Sequence, residues 1–258
     1  MHHHFSMPSW RFLQVWRRHF LVWRKTLWAS LAGNLGEPLL YIAGMGLGLG
    51  TFVGTLDGMP YLLFVGGGIL AASSMNTATF EAFYGGFTRM TRQNTFHAML
   101  VTPLDTADIV AGEVAWAASK SLLAGSAIFL VGALLGAFPG PYAILALPVV
   151  LLSGLVFAAL GMVVVAISPG YEFFPYYSTF VITPMFMFCG VFFPLSGMPE
   201  PLATAIYWLP LSHVVALIRP LTIGAWPSDI LLHLALLLGY FLVAFYWAVR
   251  LVKRRILV

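Results

Sequence analysis

Four charged side chains stand in stretches otherwise apolar enough to enter a bilayer: Glu37, Glu81, Glu113 and Lys120. A charge at that depth is costly, so each must pair, line a water-filled path or carry protons. Glu113 and Lys120 lie two helical turns apart and share a face. Glu37 and Glu81 read as lying near the membrane side where Arg17, Arg18, Arg24 and Lys25 cluster. Pairing with those cations is expected ahead of contact with a transported molecule. Lys120 is the hardest of the four to place, and pairing again ranks ahead of a direct role.

Other chemistry is poorly provided for. No GxxxxGK[ST] loop occurs, since Lys25, Lys120 and Lys253 all lack the preceding glycines. The chain is therefore not expected to bind ATP itself. HExxH and GxSxG are also missing, which disfavours a metalloprotease or serine hydrolase. His19, His97, His213 and His233 lack metal-ligand spacing, so no metal site and no resident cofactor are expected. Cys189 is the sole cysteine, which excludes an intrachain disulfide and reads as packing rather than as a nucleophile.

The elements that must position these residues follow from composition. Of 258 residues, 60% are hydrophobic and only 9% charged, with a mean hydropathy of +0.90. Soluble domains carry about 25% charged residues, so most of this chain's outer surface must face lipid. The fold class expected is an all-α membrane protein: an N-terminal interfacial amphipathic helix, six transmembrane helices and re-entrant extracytoplasmic helices between spans 5 and 6. Residues 1–8 read as a leader or start-site extension, without a cleavable signal peptide. Residues 9–27 place Phe12, Trp16, Phe20, Trp23 and Leu27 on one stripe, backed by Arg17 and Arg18, the pattern of a helix lying in the interface.

The spans are expected near 28–53, 61–84, 109–137, 142–167, 173–193 and 229–249, with Pro175 and Pro184 bending the fifth. Residues 194–227 are apolar but cut by prolines into pieces of about 10–13 residues, too short to cross. The formal charge of +4 is concentrated at the two ends and at Arg89 and Arg92. That distribution marks topology rather than a nucleic-acid surface. Both termini and the 85–108 loop fall on the cytoplasmic side, and the turns at 54–60 and 138–141, without Lys or Arg, fall outside.

Within the 85–108 loop, the run from Met90 to Leu104 (MTRQNTFHAMLVTPL) resembles the R-Q-x-T-F-x-A-M-L-x-T-P-L pattern of type-2 ABC exporter permeases. The run from Pro184 to Leu195, with Cys189 where serine is common, resembles their late span. Trp208-Leu-Pro210, His213 and Arg219-Pro220 continue the likeness, which extends from about residue 10 to the end. The subgroup resembled is the nodulation protein J-like permeases, associated with lipooligosaccharide export.

The resemblance implies an ABC-2 transmembrane domain over 9–258, with two copies associating as a homodimer. Two copies of a separate ABC ATPase subunit, which bind ATP and Mg, would meet it in the cytoplasm. It implies a coupling helix in the loop, with Phe96, Met99 and Leu100 as an apolar face and Arg92, Gln93 and Thr95 as orienting polar groups. The interfacial helix, with Trp16, Arg17, Arg18 and Trp23, would make a second ATPase contact. Residues 194–227, with His213 and Arg219, would form an extracytoplasmic cap, Arg219 having no evident local acid.

The function expected is outward movement of a glycolipid, lipooligosaccharide or polysaccharide across the bacterial inner membrane. Export of a drug or small lipid is the neighbouring alternative. An ion-gradient-driven secondary transporter is the alternative from another class. It calls for paired acids near the midplane and an internal repeat, neither of which is evident.

Overall fold

A computed structural model describes residues 7–257 of the chain, excluding the side chains of 29–32, 34, 35, 37 and 257. The expectation for the Glu37 carboxylate therefore lies outside the described residues. The described chain is helical nearly throughout, because apolar segments must satisfy their backbone groups internally. Its one ladder is a short hairpin of β1 (Thr55–Leu56) and β2 (Met59–Pro60) at the first turn.

In chain order, α1 (Phe12–Trp23) leads through a short turn into α2 (Leu27–Tyr41), a π-helical run (Ile42–Leu49) and α3 (Gly50–Val53). α4 (Tyr61–Phe80) continues through π-helical turns at Glu81–Gly86 and Thr88–Arg92, so that one helix runs from Tyr61 to Arg92. The expected end near Tyr84 is thus eight residues early. Gly85 and Gly86 do not stop the helix, because Arg89 in the extension bonds back to Glu81 and across to Glu113. The short α5 (Thr95–Leu100) follows, entered through Asn94 at φ 49°.

α6 (Thr106–Leu134) starts at a capping box in which Asp105 and Asp108 each accept from the other's end of the turn. α7 (Ala146–Ile167) stops where Ser168-Pro169 forbids another turn. α8 (Phe173–Tyr177), a π-helical stretch (Ser178–Ile182) and α9 (Thr183–Phe188) occupy the expected fifth span. It ends five residues short of Phe193, because the chain turns at Gly190 and lays Val191 back on α4. Gly68 makes that return possible: a Cβ there would stand 2.5 Å from the Val191 carbonyl oxygen. α10 (Glu200–Tyr207) and α11 (Pro210–Ile223) meet at an 86° bend. The last helix, α12 (Ile230–Leu257), absorbs the basic tail instead of ending before it.

Among the described residues, four helices are long and apolar enough to cross a membrane: Tyr61–Arg92, Thr106–Leu134, Ala143–Ile167 and Ile230–Ile256. The bent pair α10–α11 would make five if it counts as one span, and Pro38–Val53 is a shorter apolar helix. α7 is the hub, packing against α4, α6 and α12, while α1 lies along α6. The most apolar stretch of Tyr61–Arg92 is 83% buried, whereas that of Ile230–Ile256 is only 17% buried, which sets α4 at the centre and α12 at the lipid-facing edge.

Hydroxyls bind the central helices where hydrophobic contrast with lipid is absent. Ser74 of α4 lies 2.6 Å from Ser153 of α7 and donates to the Ala71 carbonyl, while Ser121 of α6 donates to the Ser74 carbonyl.

Candidate functional site

Three constellations stand out along the long Tyr61–Arg92 helix. The innermost is a buried ion network. Arg89 meets Glu113 through Nε (3.0 Å to each oxygen) and Nη2 (2.6 Å), and the same Nη2 reaches Glu81 at 3.0 Å. Lys120 donates to the second oxygen of Glu81 at 2.7 Å, and Trp116 Nε1 to the first at 3.0 Å. His19 Nε2 lies 2.9 Å from Glu113, whose side chain is 1% exposed. The pairing expected for Glu81, Glu113 and Lys120 is present, but its partners are not those expected. Arg17 and Arg18 are exposed on α1, Arg18 at the edge of a cleft beside the network, and neither pairs with these carboxylates; Arg24 and Lys25 likewise take no part. Arg89 serves instead, because the helical extension carries it about two turns beyond Glu81 and into hydrogen-bond reach of Glu113. His19 was given no role by spacing alone; its signal is its position on the face of α1 that meets α6.

That face also differs from the expected stripe. The buried residues of α1 are Val15, His19 and Trp23. Trp16 lies on the flank, with its Nε1 donating to Ser119 at 2.9 Å, and Phe20 is 37% exposed. Gly112 of α6 admits Val15, since a Cβ at Gly112 would collide with that side chain. Ser9 and Arg11 tie the start of α1 to Asp108 and the Pro103 carbonyl.

The loop beyond Arg92 presents a different surface from the one the periodicity suggests. Phe96 is 0% exposed and Thr95 and Met99 are buried, so the apolar face of α5 is turned into this chain's own core. Arg92, Gln93, His97, Ala98 and Val101 are exposed, Val101 at 89%, and Leu100 is intermediate. The guanidinium of Arg92 lies 5.9 Å from the Tyr171 ring centre. A docking surface on this loop is therefore built from His97, Ala98 and Val101 with the polar entrance residues, not from Phe96.

Higher on the same helix is a groove of about 110 Å³ lined by Tyr41, Ser73, Asn76, Thr77, Phe80 and Phe186, among others. Ser73, Asn76 and Thr77 follow at helical spacing on one face and make no side-chain hydrogen bonds among the described residues. Hydroxyls and an amide between three aromatic rings can take both the hydrogen bonds and the apolar face of a sugar or amphiphile. Nothing in the sequence singles this set out, because uncharged polar residues inside a span do not interrupt its hydropathy.

At the far end, Arg219 is held by carbonyls and a ring, with the carboxylate of Asp57 within electrostatic reach. Its Nε donates to the Phe64 carbonyl at 3.1 Å, Nη2 to the Gly190 carbonyl, and its charge lies 3.7 Å from the Phe64 ring centre. His213 and His233 meet Nδ1 to Nδ1 at 2.9 Å, so one ring must be the donor and the other the acceptor. Tyr207 packs edge-on to His213. No cluster of three metal-ligating side chains occurs among the described residues.

Long apolar helices, a buried ion network and a polar groove describe an all-α integral membrane protein. The chain belongs to the ABC-2 type transporter family, whose pattern matches residues 11–223. It is 45% identical to Nodulation protein J of Rhizobium leguminosarum bv. trifolii over 96% of this chain and 95% of that one. It is 43% identical to Nodulation protein J of Rhizobium meliloti (strain 1021) over 98% and 97%. Inner membrane transport permease YadH of Escherichia coli (strain K12) is 23% identical over 79% of this chain and 73% of its own length.

Proposed function

We propose that this chain is the membrane subunit of an ATP-driven exporter that moves a lipooligosaccharide or related glycolipid outward across the bacterial inner membrane. The observation that carries the reading is family membership over most of the chain, joined to likeness along nearly the whole length with proteins named for nodulation. Two copies would pair, and a separate ABC ATPase would bind two Mg-ATP and dock on each 93–105 loop. The six crossings would be the 27–53 run, Tyr61–Arg92, α6, α7, the α8–α9 run and α12, with α10–α11 as the outer cap. The groove at Ser73, Asn76 and Thr77 is the natural place for substrate contact, with Tyr41, Phe80 and Phe186 offering faces on which a sugar ring can stack.

The experiment is co-purification through this subunit with a co-expressed candidate ABC ATPase, followed by ATP-dependent transport into inverted vesicles. Transport by the subunit alone on an ion gradient, with no ATPase captured, would favour a secondary transporter instead. Two substitutions sharpen it. Val101→Asp, on the exposed loop surface, should lower transport at least ten-fold with normal membrane insertion, whereas Phe96→Asp should fail earlier, at folding. Asn76→Leu should lower transport of a glycolipid while leaving ATPase capture intact.

A further inference from the structure

Beside the ion network lies a cleft of about 270 Å³, bounded by α1 on one side and by the inner ends of α4 and α6 on the other. That volume holds roughly nine waters, enough for a phosphate with a small polar substituent. Its walls carry more donors than the network uses. Arg89 spends Nε and Nη2 on carboxylates, and its Nη1 donates to nothing among the described residues. Lys120 spends one of three N–H groups. Trp23 Nε1 is buried without a partner, and Arg18, exposed on α1, lines the cleft and makes no hydrogen bond or ion pair among the described residues.

The acceptors, by contrast, are already occupied. Both oxygens of Glu81 receive hydrogen bonds, from Arg89, Trp116 and Lys120, and both oxygens of Glu113 face Arg89. Three cations against two carboxylates leave one positive charge unmatched, with His19 adjacent. A surplus of donors and one surplus charge call for a singly charged group made only of acceptors.

We infer that this cleft binds the phosphodiester headgroup of an anionic phospholipid. The rim distinguishes a lipid from a soluble phosphate. Val22 is 59% and Tyr84 47% exposed at its edge, and Phe80 stacks on Tyr84 at 6.1 Å. Phe20 and Leu21 of α1 are exposed alongside. Acyl chains can use that apolar border and a free anion cannot. Placing the lipid in the cytoplasmic leaflet rests on the proposed topology; the binding itself does not.

The test is native mass spectrometry of the full chain released from nanodiscs of phosphatidylglycerol or of phosphatidylcholine. One phosphatidylglycerol per chain should be retained in preference to phosphatidylcholine. Arg18→Gln should lower that preference about five-fold, the effect of one basic residue beside an anionic headgroup, with no change in melting temperature. Lys120→Gln should lower it as well. Arg17→Gln, one residue away on the same helix but outside the cleft, should not. Equal retention of the two lipids, or an equal loss in Arg17→Gln and Arg18→Gln, would overturn the inference. Release of the lipid by millimolar glycerol phosphate would assign the site to a soluble anion and overturn the lipid. Each readout is independent of transport, so it stands or falls separately from the exporter reading.

Discussion

Arg89 is the residue on which the buried charges depend. It alone touches both Glu81 and Glu113, so Arg89→Gln leaves Glu113 buried with only His19 beside it. Breaking one partner of a buried pair costs about 3–5 kcal/mol, and the variant should show a melting temperature well below wild type in detergent. Lysine should rescue poorly, since an ammonium lacks the planar fork that grips Glu113 through Nε and Nη2 while reaching Glu81. The double variant Arg89→Gln/Glu113→Gln should recover part of the loss, because it leaves no charge stranded there. At this scale the sequence was half legible. It flagged Glu81, Glu113 and Lys120 by their apolar surroundings, but not Arg89, whose neighbours looked like loop. Glycines in a polar stretch read as a break, whereas the ion pairs of Arg89 and the burial of Phe87 and Met90 hold that stretch helical after folding.

At the scale of elements, helix ends and close approaches decide which pieces move together. Arg255, in the last turn of α12, donates to the carbonyls of Val165, Ala166 and Ser168 at the end of α7 and lies over the Phe87 ring. A basic tail that looks like a topology signal is thereby also a helix cap. Arg255→Gln should cost about 1.5–3 kcal/mol, the worth of a charged hydrogen bond. The exposed neighbour Arg254→Gln should change the melting temperature little. Gly68→Ala meets backbone rather than a yielding side chain at Val191. It should destabilise by about 1–3 kcal/mol and loosen the turn at Gly190 that Arg219 holds, which limited proteolysis at 189–198 would report. Of the prolines in 194–227, Pro201 and Pro210 stand at the starts of α10 and α11, whereas Pro220 lies inside α11, which runs 14 residues through it. Nothing in that stretch announced that Arg219 would be held by carbonyls and a ring rather than by an acid.

The whole molecule is a set of apolar rods whose order was readable and whose individual lengths were not. Hydropathy marks where a helix is apolar, so α6, α7 and the start of α4 lie close to expectation. It is blind to a polar extension held by tertiary contacts, as at 85–92, and to a return turn made possible by one glycine, as at Gly190. The proposed topology can be checked with the chain's own chemistry. Cys189 is buried, so background labelling is low. A membrane-impermeant maleimide applied to intact cells should label Asp57→Cys and spare Arg254→Cys, and the reverse pattern would invert the orientation.

The π-helical turns at 42–49, 81–92 and 178–182 have a mechanical consequence. Each holds more residues per hydrogen-bonded ring than an α turn, so the helix carries spare length wound into its own coil. Letting one residue pass from π to α winding turns everything beyond it by about 100° and advances it by about 1.5 Å. In the Tyr61–Arg92 helix that thread lies between the polar groove and the 93–105 loop. A push on the loop can thus act as a screw rather than a lever, exchanging i→i+5 for i→i+4 backbone bonds and re-aiming side chains without tilting the rod.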